Sequence, residues 1–445
     1  MTSALYLLSN DLRLSDNQAL ARSSEWDELT IVYCINPAWF TPNRYGMTSV
    51  GKRRWRFTQH ALIDLDHRLN KFGQRLHILQ GSPAEQLQHV INQIKPNTLI
   101  TSRPHGWYEL QHLLKLSDNC PNVFFEYVDN YTLFERSDGD WHTSKLAKQY
   151  TPFRRIAESQ SVREPLPFPE QLPAPSTLLH ADEYKIPPDW PAPFETNRTD
   201  ETFIGGETAA QQHLQDYLTS KAPSTYKQTR NALDGWNRSS KWSPWLSQGA
   251  ISPIQLFKAI DTYEAQHGAN DSTEWLRVEL LWREYFQWLA LRIGTSLYTF
   301  QGLSKRKPLT SFYAERFRRW CEGTTPYPLV NACMRELSAT GYMSNRGRQI
   351  VASCLVNELQ MDWRYGAAWF EQQLIDYDVA SNWGNWQYIA GVGVDPRGGR
   401  HFELNKQQRQ FDPNGRFVKQ WLGDNYTPPG HSDSVDAADW PIGAP

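Results

Sequence analysis

The chain lacks most of the marks of an exported, membrane-bound or metal-stapled protein. Its five cysteines (Cys34, Cys120, Cys321, Cys333 and Cys354) are odd in number and form no CxxC pair. They read as reduced intracellular thiols, which excludes a disulfide frame and a zinc site. No apolar run approaches the ~20 residues of a membrane span. The start, MTSALYLLSNDLRLSDN, has no signal-peptide core, so the expectation is a soluble, cytoplasmic protein. The formal charge is only −2, so no global basic field advertises nucleic acid, although local patches remain open. A GxGxxG stretch after the first apolar run is also missing, and with it the usual dinucleotide fingerprint.

What the chain does have is length and tryptophan. Its 445 residues suffice for two or more domains, and 19 of them are tryptophan, most after residue 189. Tryptophans give rigid stacking surfaces and can pass electrons, but most simply fill a core. The first part alternates short apolar runs (ALYLL, LTIVYCI, RLHIL, TLITS, VFFEYV) with amphipathic helical patterns such as KRRWRFTQHALIDLDHRLNKFG. That alternation predicts a doubly wound, five-stranded parallel sheet. In SPAEQLQHVINQI, Ser82, Pro83 and Glu85 suggest a capping box. Proline-rich stretches between residues 161 and 200 read as an extended connector. Beyond them strand signals almost vanish, and a large all-α domain is expected, its last helices including NRGRQIVASCLVNEL and GAAWFEQQLIDYD.

Four clusters carry chemistry. In SSKWS, the hydroxyls of Ser239, Ser240 and Ser243 with Lys241 suit a phosphate, or form a plain capping loop. In ELLWREYF, Glu279, Trp282 and Phe286 share a helical face, as a pocket wall or a core edge. In GYMSNRGRQIVAS, Asn345, Gln349 and Ala352 share a face beside Arg348. A guanidinium buried there needs an acid, because left unpaired it would cost several kcal/mol. The acids are at hand in DYDVASNWGNW, residues 376 to 386. From Lys305 to Arg319 six basic residues stand against one acid, and from Arg397 to Lys419 six against two. Near aromatic clusters such runs suit single-stranded nucleic acid, or they are solvated helix faces.

Taken together, ELLWREYF, GYMSNRGRQ and DYDVASNWGNWQY resemble signatures of the photolyase/cryptochrome family of blue-light flavoproteins. The wording SNRGRQ, GNWQYIAGVGVDPR and FDPNGRFVKQWL is similar to its DASH branch, whose members act on pyrimidine dimers in single strands. The resemblance runs from residue 4 to about 422. It implies an α/β antenna domain (1–131), a connector (132–200), a helical FAD-binding and catalytic domain (201–425) and a short tail (426–445).

The resemblance also assigns roles. Tyr226, Ser239, Ser240, Lys241, Trp242 and Ser243 match FAD contacts, Arg348 and Asp376 an ion pair over the flavin, and Asp378 the acid at the flavin edge. Asn382 matches the residue facing flavin N5. An amide there suits the reduced anionic flavin of repair enzymes, where plant-type receptors carry an acid. Glu279, Trp282, Asn345, Gln349 and Tyr388 match lesion contacts, and Arg230 and Arg346 match DNA contacts. Ser344 and Asn345 stand where the (6-4) branch has two histidines. The implied substrate is therefore a cyclobutane pyrimidine dimer, with single-stranded DNA preferred because less pairing energy opposes flipping. No metal and no membrane is implied, and a monomer is expected. Glu109 falls where a methenyltetrahydrofolate antenna is contacted, or it is simply solvated.

Three readings compete: a repair enzyme, a photoreceptor that binds nucleic acid or a partner, and a non-photoactive nucleotide-binding protein. The last leaves the second domain's motifs without a role. Trp386 and Trp363 match the first two members of a photoreduction chain. At the third position the sequence has Leu309 and Thr310, with Tyr313, Tyr327 and Trp320 as candidate substitutes. Photoreduction is expected to be slow or altered; rapid, persistent flavin reduction in Trp320→Phe and Tyr313→Phe variants would remove those two residues from the chain.

Overall fold

The computed structural model describes residues 2–179, 184–187, 189–190, 203–305, 307–394 and 398–430. Much of the KIPPDWPAPFETN connector, Arg306 and Arg397 of the basic runs, and the tail beyond Gly430 lie outside the described residues.

Five strands form where the short apolar runs predict them: β1 (Ser3–Leu8), β2 (Glu28–Ile35), β3 (Leu76–Gln80), β4 (Thr98–Ser102) and β5 (Phe124–Val128). All neighbours are parallel, in the order β3-β2-β1-β4-β5. The apolar character of β1 to β4 follows from burial on both faces, with a separate core cluster on each side, while the edge strand β5 is only half-buried. A two-residue strand, Ala174–Pro175, adds to β2 from the extended connector. The strand order reverses between β1 and β4, so the crevice at their C-terminal ends is where such sheets bind ligands.

Two local expectations need correction. The helix Pro83–Ile94 starts as foreseen, but Ser82 makes no side-chain cap bond and no capping box forms. Pro83 and the charge of Glu85 in the first turn serve that end instead. The helix expected through GAAWFEQQLIDYD runs only Trp363–Gln373 and stops at Leu374, whose ψ of 126° is extended. The next helix begins at Val379, with Asp378 as its N-cap. The intervening loop is what projects Asp376 and Asp378 sideways.

The helical part has one large core, built around the helices Asp271–Ile293, Trp363–Gln373 and Val379–Ile389. It is locked to the sheet by polar contacts that leave little slack. Arg13 is buried and donates to the carbonyls of Asp16, Asn130 and Gly249 at 2.8–3.2 Å. Glu284 accepts from the Leu133 and Phe134 amides and the Trp288 indole, and burial still pushes its carboxyl up to about 7. Gly249 is the tightest point. Its φ of +67° disfavours a side chain, and a Cβ there would lie 1.8 Å from the Asn10 carbonyl oxygen. Gly249→Ala combines overpacking with backbone strain, so it is expected to cost about 3 kcal/mol or more, read as a lower denaturation midpoint.

Candidate functional site

The site grows from one ion pair. Asp376 is 1% exposed through its side chain and accepts from the Arg348 guanidinium at 2.7 Å and from the Ser243 hydroxyl at 2.6 Å, both on Oδ2. Its other oxygen, Oδ1, is buried without a partner. Arg348 Nε donates to the Met343 carbonyl at 2.9 Å, and the Tyr342 ring lies beneath both Arg348 (5.4 Å) and Lys241 (4.7 Å). Ser243 therefore serves the ion pair. The helix it opens is capped by no side chain, so the plain capping reading of SSKWS does not hold there.

Lys241 takes a left-handed φ of +55°, which turns the loop sharply, and the Ser240 carbonyl bonds the His213 ring. Ser239 and Ser240 are half-buried, while Trp242 and Tyr226 are buried.

Two turns beyond Asp376, Asn382 is buried and its amide donates to the Ala367 carbonyl at 3.0 Å, which fixes the side chain. Asp378 accepts from the Ser381 amide at 2.7 Å and from Gln287 at 2.8 and 2.9 Å. Burial alone would raise its pKa; Arg283 and these donors outweigh that and hold it below the usual carboxylate range.

Asn345, Arg348, Gln349, Ala352, Asp376, Asp378, Asn382, Trp386 and Tyr388 line one cavity. The structure thus gathers residues from two separate sequence motifs. Glu279 and Trp282 stand on the neighbouring helix. Glu279 is tied through Oε1 to Arg230 (2.6 Å) and to the Trp275 indole (3.1 Å). Arg346 donates to Asn231 at 3.0 Å and lies 4.7 Å over Phe411. Trp282 meets Tyr388 edge-on, at 6.1 Å and 75°, and its face is covered by Tyr150 at 3.6 Å and 10°.

Not every expected residue joins the cavity. Trp363 is buried beside Trp383, with ring centroids 5.8 Å apart. Glu109 lies elsewhere, in a cavity of ≈ 370 Å³ between the sheet and the helices. There it is joined by His112, Arg54, Glu371 and Asp378, and it is exposed to that chamber. Of the basic runs, Arg318 and Arg319 pair with Glu315 and Glu322, as a solvated helix face would.

Sequence reasoning missed Tyr150, which sits in the stretch taken as connector. It also missed Glu336, buried with Oε2 unpartnered. Burial and Asp234 push its carboxyl up, Lys241 and Arg348 pull it down, and it rests at about 8. The only signal for Glu336 was an acid on the buried face of NACMRELSAT.

These residues fit a large, partly anionic cofactor: an orphaned buried carboxylate oxygen, a hydroxyl-rich turn and a polar cavity among tryptophans. The comparisons agree. Residues 4–175 match the DNA photolyase family model, and residues 275–429 match the FAD-binding domain of DNA photolyase. The cryptochrome DASH of Idiomarina loihiensis is 45% identical, with 98% of this chain and 96% of that protein covered. The cryptochrome DASH of Vibrio parahaemolyticus is 43% identical over 98% and 97%. The Synechocystis sp. cryptochrome crystal structure superposes with a TM-score of 0.88 at 37% identity, covering 95% of this chain and 89% of that one. The chain belongs to the photolyase/cryptochrome family of FAD-binding proteins and is most similar to its DASH cryptochromes. Among the described residues no helix is long and apolar enough to cross a membrane.

The ion pair invites a direct test. Arg348→Met leaves Asp376 charged, buried and unpaired, so it is expected to lower stability by about 3 kcal/mol or more. Thermal denaturation against Arg348→Lys as the charge-keeping control reads the difference.

Proposed function

We propose that this protein repairs cyclobutane pyrimidine dimers under blue light, preferentially in single-stranded DNA, as a cytoplasmic monomer. The observation that carries the reading is the convergence of Asn345, Gln349, Asn382 and Tyr388 with the Arg348–Asp376 pair on one cavity. Bound FAD would supply light absorption and the electron that splits the dimer.

The chain's own residues do the positioning. Arg348 and Asp376, with Ser243, hold the polar side of the cofactor, and Asp376 Oδ1 is the buried acceptor left for it. Ser239, Ser240, Lys241 and Trp242 would form the turn for its phosphates, with Tyr226 as a further contact. Asp378 anchors its outer edge. Asn382 presents an amide with no titrating proton, so it meets a ring nitrogen without competing for that atom's proton. On the substrate side, Asn345 and Gln349 offer amides to the base edges. Glu279 keeps Oε2 for the same purpose while Arg230 neutralises it. Trp282 and Tyr388 form an apolar corner for the extruded pair of adjacent pyrimidines. Arg230 and Arg346 lie where they can meet phosphates, and single strands are preferred because less pairing energy opposes extrusion of the dimer. Trp386 and Trp363 feed electrons inward. The cavity at Glu109 suits a light-collecting methenyltetrahydrofolate, with Arg54 and His112 for its carboxylates and aromatic walls for its ring.

One observation favours a second reading, a photoreceptor with little repair. Tyr150 covers the face of Trp282 that a base would stack upon. Illumination of the reduced holoprotein with dimer-containing single-stranded and duplex oligonucleotides separates the two. Restored thymine is expected, faster on single strands, with a severalfold loss in Glu279→Gln and a gain in Tyr150→Ala. No repair on either substrate, with Tyr150→Ala included, leaves the receptor reading.

A further inference from the structure

We propose that a tyrosine-ended relay, Tyr108–Tyr298–Trp383, carries electrons from the surface to Trp363 in place of a surface tryptophan. It rests on the reading above that Trp363 and Trp386 feed electrons inward. The rings form an unbroken file. Trp363 stands 5.8 Å from Trp383, Trp383 stands 5.1 Å from Tyr298, and Tyr298 stands 5.2 Å from Tyr108. Trp363, Trp383 and Tyr298 are buried, while Tyr108 is 46% exposed. Tunnelling falls steeply with separation, so rings in contact dominate any longer jump. The inner end is joined as well. Trp386 packs on Gly366, one helical turn from Trp363, where a Cβ would lie 2.3 Å from the indole.

Alternatives are weaker at a specific point. At the position where a surface tryptophan would stand, Leu309 is 99% exposed and has no ring. Trp320 does touch Trp386, at 6.2 Å, but it is fully buried. Its onward ring neighbour, Phe317 at 6.1 Å, has a phenyl group that a tryptophan hole cannot oxidise. Tyr313 lies under the Arg316 guanidinium at 4.3 Å, and a nearby cation makes loss of an electron costlier.

Charge favours the proposed file. The Trp383 indole N–H donates to the Glu371 carboxylate at 3.3 Å and to the Tyr377 hydroxyl at 3.2 Å. A donated N–H makes an indole easier to oxidise. Tyr298 is buried, and burial and Glu109 keep its phenol protonated at rest, so it bridges Trp383 to Tyr108, the exposed phenol whose proton can reach water.

The balance is simple. One electron that light-excited FAD would withdraw at Trp386 is replaced from Trp363, that of Trp363 from Trp383, and that of Trp383 through Tyr298 from Tyr108. Each inner ring returns to its resting state as the next is oxidised by one electron. Tyr108 releases its phenolic proton to water and is restored by a thiol in solution, which is oxidised in turn.

The test uses the flavin-loaded protein, illuminated with a thiol donor and a nitroxide radical trap. Time-resolved absorption is expected to show a late tyrosyl radical, and peptide mapping a trap adduct on Tyr108. Tyr108→Phe, a surface change that leaves flavin content and circular dichroism intact, is expected to remove both signals and slow photoreduction severalfold. Tyr298→Phe and Trp383→Phe, where they fold, should behave alike. Wild-type kinetics in Tyr108→Phe and Tyr298→Phe, or loss confined to Trp320→Phe with adducts on Tyr365, whose ring lies 5.7 Å from Phe317, would overturn the relay. Undiminished photoreduction in Trp386→Phe would sink the underlying reading as well.

Discussion

The fold keeps a carboxylate out of water at Asp376, and much of the site is arranged around that cost. A buried ion is tolerable only when its charge and lone pairs are met. Arg348 meets the charge and Ser243 one lone pair, which ties three distant stretches of chain to one atom. The break in the helix after Gln373 is part of the same solution. A continued helix would have turned Asp376 and Asp378 along its own surface, whereas the loop points them into the cavity and lets Asp378 start the next helix.

The sheet was legible because its strands are short, mainly apolar runs, the pattern that burial of the inner strands on both faces favours. The helices were legible as amphipathic runs, but their ends were not. Nothing local in FEQQLIDYD says stop after Gln373. The stop is imposed by tertiary demands on two aspartates, and propensity does not record such demands. Ser82 shows the reverse, a local signal present in the sequence that the structure leaves unused.

The candidate site was legible to the extent that its residues sit on helix faces. Asn345, Gln349 and Ala352 share a face by spacing and do line one wall. Arg348 announced a buried partner, and Asp376 is that partner. What spacing could not show is contact between elements far apart in the chain. Tyr150 against Trp282 and Arg230 against Glu279 are of this kind. Nothing in the sequence signals the file at Trp383, because its ring neighbour Tyr298, and Tyr108 behind that, come from segments far earlier in the chain.

Asp378 belongs to the walls of both cavities, the one beside Asn382 and the one holding Glu109. It also caps the helix that carries Asn382 and Trp386. One carboxylate is therefore boundary, electrostatic reference and structural stop at once. Over evolutionary time such a residue cannot be adjusted for one chamber alone. Diversification of the chamber at Glu109 must proceed through its other walls, while the partition itself stays fixed.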